Sequence, residues 1–353
     1  MLVTDDVTGQ NRAALATVRA LARGGYRPAV TVSGRRSIAA ASRFCDRVVR
    51  VPPAGRDGYA DALCREAAHG GFLSVLPASD VALTALGDPS AELVDKARLA
   101  LRARAVGVPV LPDRVFASAT DLRAAADDLD YPVVVKSVVK SGAGTLQALR
   151  ADSAADLDGV EGSGGGLMVQ PFEGAPMRAV SGVVWDGELL AVCHQRYIRI
   201  WPPTAGVACA AETVTGDPEV EESVLRVLAG HRGVFQAQFL GGFLLDVNPR
   251  VYGSLPLAVA AGANLPVIAC EAAAGRRQGL VRARAGVHFR WLEGDVRRLL
   301  RDARTRDLTP ALAARELLPR PGTAHSTESL FDPGPLLARV AFAADARRGR
   351  RST

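Results

Sequence analysis

Lysine is almost missing from this 353-residue chain. It stands only at positions 96, 136 and 140, although lysine and arginine together number 43. Such a bias follows codon usage in a GC-rich genome and carries no functional message by itself. It does single out the three lysines that remain. Lysine offers a compact charge on a flexible stem, where arginine offers a rigid fork, so a site that needs the former resists replacement. Cysteine is also sparse. The five (45, 64, 193, 209 and 270) include no C-x-x-C pair, which argues against a disulfide framework and a zinc site and fits a reducing, cytoplasmic setting. No apolar run is long enough to span a bilayer, and the start Met1-Leu-Val-Thr-Asp-Asp6 lacks the basic and apolar regions of a signal peptide. The turn at 5–11 has no G-x-G-x-x-G, which excludes a nicotinamide or flavin fingerprint, and no G-K-[ST] loop occurs. No Ser-His-Asp or His-Cys set suggests covalent catalysis, and His194 reads as structural.

What is present is an ordinary soluble composition, 48% hydrophobic and 23% charged, in a chain long enough for two or three subdomains. The net charge of +6 misleads. Residues 281–353 hold 15 Arg against eight Asp and Glu, so residues 1–280 are close to neutral. No stacking aromatics interleave with Ala346-Arg-Arg-Gly-Arg-Arg351, which reads as a solvated terminus and disfavours nucleic acid.

Residues 1–88 alternate short apolar strands (Leu2–Thr4, Pro28–Val32, Arg47–Val51, Leu73–Leu76) with helices (Arg12–Arg23, Gly58–Ala68). That pattern implies a parallel sheet in a Rossmann-like domain. Asp80 falls just past a strand end, where such sheets bind ligands, but reads first as a helix N-cap. Asp88-Pro89 marks a boundary, followed by a helix over Ala91–Ala105 that carries Asp95-Lys96 and ends at Gly107-Val-Pro109. Residues 112–172 read as a small α+β lid with a helix over Thr120–Leu129. Its strand Tyr131–Ser137 is apolar except for Lys136, and a lysine there either snorkels outward or meets an anion. The small-residue loop 140–145 offers the backbone N–H groups of Ser141, Gly142 and Gly144 to phosphates.

Further on, Ala179–Trp185 and Glu188–His194 read as a hairpin about Asp186-Gly187, with Arg196 and Arg199 beyond it, ahead of a Pro/Gly loop. A helix spans Asp217–Gly230. A second hairpin pairs Val234–Leu240 with Gly242–Val247. Asp246, Asn248 and Arg250 alternate along an extended segment, so they share one face. A carboxylate and an amide oxygen suit a hard cation such as Mg²⁺, and a guanidinium grips a phosphate with two hydrogen bonds. Gln238 is placed across from Asp246 and adds an oxygen. Helices over Leu255–Ala263 and Leu265–Ala274 follow. Residues 281–353 read as a helical extension without legible chemistry.

Taken in order, Asp95-Lys96, Val133–Lys136, Met168–Gly174, Gln238 and Asp246-x-Asn-Pro-Arg250 resemble the ATP-grasp superfamily over residues 1–275. The resemblance implies mixed α/β and α+β architecture: an N-terminal Rossmann-like domain (1–88), an ATP-grasp domain (89–280) with its lid (112–172), and a C-terminal helical extension (281–353). It implies ATP and Mg²⁺, with Mn²⁺ as a substitute. Lys96 and Lys136 would reach phosphates, Gln170 and Phe172 would line the adenine pocket, Glu173 would reach ribose, and Arg196 and Arg199 would stand near the phosphates. Gln238, Asp246 and Asn248 would hold metal, with Arg250 and Lys136 at the reacting phosphoryl group. Two positions depart from the family: Gln238 where many members have Glu, and Asp246 where Glu is usual. The resemblance is greatest to stand-alone carboxylate–amine ligases and the synthetase half of carbamoyl-phosphate synthase. The implied activity is ADP-forming ligation of a small-molecule carboxylate to an amine. A non-catalytic ATP sensor on the same fold is the alternative, and a homodimer is left open.

Overall fold

The computed structural model describes the chain except residues 6, 140–145, 147, 162–164, 319 and 350–353, with 346–349 as backbone only. It begins with β1 (Leu2–Thr4), α1 (Arg12–Arg23), β2 (Ala29–Val32), β3 (Arg47–Arg50), α2 (Tyr59–His69), β4 (Val75–Leu76) and α3 (Asp80–Ala85). The strands form a parallel sheet in the order β3-β2-β1-β4. Helix α1 starts where it does because the Asn11 carboxamide oxygen accepts from the N–H groups of Ala13 and Ala14 at 2.9 and 3.3 Å. Its apolar face, Leu15, Val18 and Leu21, packs into a core that also holds Val30, Val234, Tyr252 and Leu255. The N-terminal sheet therefore shares its core with the later part of the chain and faces it at the carboxyl ends of its strands.

The helix expected over Ala91–Ala105 is broken. Residues Pro89–Val94 form a 3₁₀ turn, and α4 spans only Lys96–Ala105. Asp95 is the cause. Its carboxylate accepts from Ala97 and Arg98 N–H at 2.9 and 3.0 Å, which requires an extended, non-helical residue at 95. The cap places Lys96 at the first helical position.

Next come β5 (Arg114–Phe116), α5 (Ala119–Ala124), β6 (Val133–Ser137), β7 (Leu149–Ala151) and β8 (Leu167–Pro171), an antiparallel sheet in the order β5-β8-β6-β7. The helix expected over Thr120–Leu129 is α5 followed by a 3₁₀ turn at Ala126–Asp128. Leu122, Val133, Val135 and Leu167 give this sheet its own apolar core.

The largest sheet is built from β9 (Met177–Trp185), β10 (Glu188–Trp201), β11 (Val207–Val214), then, after α6 (Pro218–Val227), β12 (Gly233–Leu240) and β13 (Phe243–Asn248). Asp186 and Gly187 both have positive φ, 51° and 82°, the geometry of the tight hairpin turn that Asp-Gly favours. At Gly182 a side chain is excluded: a Cβ would lie 2.1 Å from the Ala191 carbonyl oxygen, with the fully buried Phe235 ring on the other side. Helices α7 (Leu255–Ala260) and α8 (Leu265–Ala273) follow the hairpin. The remaining elements are β14 (Val281–Arg282), β15 (His288–Arg290), α9 (Leu292–Arg304), α10 (Pro310–Leu317), β16 (Ala324–His325) and α11 (Gly334–Gly349).

The C-terminal stretch is thus not purely helical, as expected from sequence. Strands β15 and β16 extend the large sheet to the order β13-β12-β9-β10-β11-β15-β16, and β14 pairs with β10. These strands are two or three residues long, too short for a periodic signal. Among the described residues, no helix is long and apolar enough to cross a membrane.

Candidate functional site

The three sheets face one another across a cavity of about 800 Å³. Its base is the β12–β13 hairpin. The register pairs Gln238 with Asp246 and Gln236 with Asn248, and all four residues line the cavity. Pro249 follows the last paired residue, and Arg250 turns into the same space. Asp246 and Asn248 are each under a tenth exposed.

Arg250 is held in three ways. Its Nε donates to Asp80 Oδ1 at 2.6 Å, Nη2 to Asn248 Oδ1 at 2.9 Å, and Nη1 to the Val251 carbonyl at 3.0 Å. A guanidinium has five N–H groups. Among the described residues two therefore remain, one on each terminal nitrogen, which is the fork needed to grip an oxyanion. Asp80 is not the helix cap expected from sequence. Ser79 caps α3 instead, its hydroxyl accepting from Ala82 N–H at 3.1 Å, and that leaves the Asp80 carboxylate to Arg250.

The facing wall carries Lys96 and Lys136, both buried and both lining the cavity. Lys136 sits mid-strand on β6, opposite Met168 of β8. Lys96 ties α4 to the end of β6: its N–H and Nζ both donate to the Val138 carbonyl, at 3.1 and 3.3 Å. The edge between these walls is the end of β8 and the segment after it. Gln170, Phe172 and Glu173 line the cavity there. Phe172 N–H donates to the Pro132 carbonyl at 2.9 Å, and the Arg150 guanidinium lies 4.0 Å from the centre of its ring.

Arg196 and Arg199 are not brought to the cavity, in contrast to the expectation. Their neighbours Tyr197 and Ile200 line it instead; the pairing of β10 with β11 is irregular between 197 and 200, which breaks strict alternation and lets residues three apart share the cavity face. Arg196 pairs with Glu212, and Arg199 is locked to the fully buried Asp295 at 2.6 Å and to Glu316 at 3.0 Å. Ser141, Gly142 and Gly144 lie outside the described residues. The α9 helix, part of a stretch with no chemistry legible in sequence, sends Arg298 and Arg301 to the cavity wall, and α1 sends Arg12.

Tyr197 was also missed. Its hydroxyl accepts from Gln238 Nε2 at 3.0 Å, and burial raises its pKa well above the ordinary value, so it stays neutral. That bond occupies the amide nitrogen of Gln238 and leaves its oxygen for another partner. The expected structural role of His194 has a partner in Glu221, 3.0 Å from Nε2, which Arg282 also grips.

The donor set can be tested against a divalent cation. Among the described residues no cluster of three or more His, Cys, Asp and Glu forms a self-sufficient metal cage. Asp246, Asn248 and Gln238 supply one carboxylate and two amide oxygens. Such a set fits Mg²⁺, which takes few protein ligands and completes its shell with water and phosphate oxygens.

The chain has the ATP-grasp fold. It is similar to the L-amino acid ligase of Bacillus licheniformis (TM-score 0.59, 15% identity, over 77% of this chain and 73% of that one). It is similar to N5-carboxyaminoimidazole synthetase of Staphylococcus aureus complexed with ADP (TM-score 0.61, 11% identity, 80% and 79%). It is also similar to the biotin carboxylase domain of the Hydrogenobacter thermophilus 2-oxoglutarate carboxylase, a domain dimer in complex with MgADP, ADP and bicarbonate (TM-score 0.59, 17% identity, 81% and 73%). At these identities the likeness concerns the fold. No family model and no curated protein sequence matches the chain.

Proposed function

We propose that this protein is an ATP-dependent ligase that joins a small-molecule carboxylate to an amine through an acyl phosphate, releasing ADP and phosphate. The observation that carries the proposal is the meeting of Asp246, Asn248 and Arg250 with Lys96 and Lys136 around a single cavity. Two anions, a nucleotide tail and a carboxylate, repel each other unless positive charge stands between them. Lys96 and Lys136 take the phosphates from one wall. Arg250, oriented by Asp80, steadies the transferred phosphoryl group with its two remaining N–H groups. Gln170, Phe172 and Glu173 receive the base and ribose. Asp246, Asn248 and Gln238 would hold Mg²⁺, which would supply charge neutralisation for the phosphates. Ser141, Gly142 and Gly144 belong to the loop assigned to cover the phosphates. An acyl phosphate needs protection from water, a task this reading gives to the lid at 112–172.

The same reading divides the chain at about residues 88 and 280, with the lid at about 112–172. The L-amino acid ligase and the N5-carboxyaminoimidazole synthetase support the reaction class by their fold likeness. A non-catalytic ATP sensor is the second reading, favoured by the neutral Gln238 and its bond to Tyr197. Release of ADP and phosphate is to be measured with carboxylates and amines offered in pairs. Turnover that needs both substrates supports the ligase. ATP binding with no turnover across the screen supports the sensor.

A further inference from the structure

Among the described residues, the cavity carries one arginine that has neither an ion-pair partner nor a part in this reaction. Five arginines line it: Arg12, Arg150, Arg250, Arg298 and Arg301. Arg150 pairs with Asp152, Arg250 with Asp80, Arg298 with Asp302, and Arg301 with Asp302 and Asp307. Arg12 has no ion pair among the described residues, and its Nη1, closed off from solvent, has no hydrogen-bond partner there. Its guanidinium is held by packing instead. The central carbon lies 3.8 Å from the centre of the Trp291 ring, and Gly253 lies on another side, where even an added Cβ would be in ordinary contact at 3.6 Å from Nη2.

Two carboxylates act on Arg12 only through space, Glu293 and Glu328, and Glu293 is already engaged by Arg297 and Arg339. Burial, then the like charge of Arg339, lowers the Arg12 pKa to about 10, which still leaves it charged at neutral pH. A desolvated charge without a counter-ion costs free energy. An anion arriving from solution would offset that cost. Arg12 is also the first residue of α1, where the helix adds partial positive charge.

We infer that Arg12 anchors an oxyanionic group of the substrate other than the carboxylate that reacts. The inference rests on the ligase reading for which carboxylate is phosphorylated, and it narrows the substrate class. The substrate carries a second carboxylate, or a phosphate, reaching from the Arg250 side of the cavity to the Arg12 side. The flat Trp291 face behind the guanidinium fixes the plane of the fork, as two-point recognition of an oxyanion requires. Gln10 and Asn11 stand beside it on the cavity wall as neutral polar neighbours.

The test uses binding, so it is independent of turnover. Trp291 emission is titrated with glutarate, with 3-phosphonopropionate and with butyrate, in the full chain without nucleotide. Trp291→Phe assigns the signal among the three tryptophans. The expected result is a saturable change with at least one dianion and none with butyrate, weakened about tenfold or more in Arg12→Gln and less in Arg12→Lys. A response to glutarate alone indicates a second carboxylate, and one to the phosphonate alone a phosphate. The inference is overturned if neither dianion gives a response, if butyrate matches them, or if Arg12→Gln and Arg12→Lys bind as the parent does. It is also overturned if ATP affinity falls in parallel with dianion affinity, since Arg12 then serves the nucleotide. Absence of ADP release with every substrate pair would instead refute the ligase reading and leave this binding result standing.

Discussion

Replacing Asp80 by Asn probes how the site is organised, because Asp80 opens α3 of the N-terminal region and Arg250 lies just past the hairpin. The pair is short, 2.6 Å, and its side chains are 13% and 11% exposed. Removing one partner of a fully buried ion pair costs roughly 3–5 kcal/mol. Asn retains the Oδ1 acceptor, Arg250 keeps its bonds to Asn248 and Val251, and the pair borders an open cavity. Those features reduce the expected cost to about 1–2 kcal/mol, a fall of a few degrees in Tm by the usual scaling. Catalysis should suffer too, since the carboxylate sets the plane of the guanidinium. A loss near 1.4 kcal/mol at the transition state is about tenfold in kcat/KM. Asp80→Ala removes the acceptor as well and should lose more on both measures. Thermal unfolding by circular dichroism and coupled ADP release give the two readouts. Parent-like turnover in Asp80→Ala, with the fold intact, would refute the claim that this carboxylate positions Arg250.

Other expectations follow from the same geometry. Lys96→Ala and Lys136→Ala should each weaken ATP binding about tenfold to a hundredfold by calorimetry, because each removes a buried charge-assisted contact; unchanged affinity in both would remove the phosphate assignment. Asp246→Asn should abolish turnover while the far-ultraviolet spectrum stays that of the parent, and near-normal activity at limiting Mg²⁺ would place the metal elsewhere. Burial lowers the His194 pKa against the raising effect of Glu221, so the unfolded chain binds more protons there; stability should decline as pH falls through about 6.5. For Glu221, burial acts to raise the pKa, but bonds from Arg282 and His194 outweigh it and lower it, so its contribution is present above the ordinary carboxylate range and lost as pH falls below it. A flat unfolding profile between pH 7.5 and 5 would contradict the His194 assignment.

The sequence was most readable where local chemistry decides structure. Asp186-Gly187 dictated a turn, and alternation along 243–250 gave both the hairpin and the shared face of Asp246 and Asn248, with Gln238 opposite as the register requires. It was least readable where a tertiary partner decides. Asp95 interrupts a helical run because its carboxylate serves as a cap. Strand β11, rich in small residues, carries no clear period and was not foreseen. Arg196 and Arg199 matched an expected basic stretch, yet the cavity face of β10 belongs to Tyr197 and Ile200, and buried Asp295 claims Arg199. Arg12 had one signal that went unused, its place just beyond the carboxyl end of the first parallel strand, where such sheets bind ligands. Arg298 and Arg301 had none, since only the return of α9 against the large sheet brings them to the cavity.

The fate of the ATP phosphates tests the central claim most directly. With a turning-over pair of substrates, ¹⁸O is placed in the carboxylate and the products are resolved by mass spectrometry. Lys136, Arg250, Asp246 and Asn248 line one cavity and, in the ligase reading, would surround the terminal phosphate, so ADP should form and one ¹⁸O should appear in the released phosphate. AMP and pyrophosphate, or ADP with unlabelled phosphate, would contradict the acyl-phosphate mechanism even though the ATP-grasp fold stands.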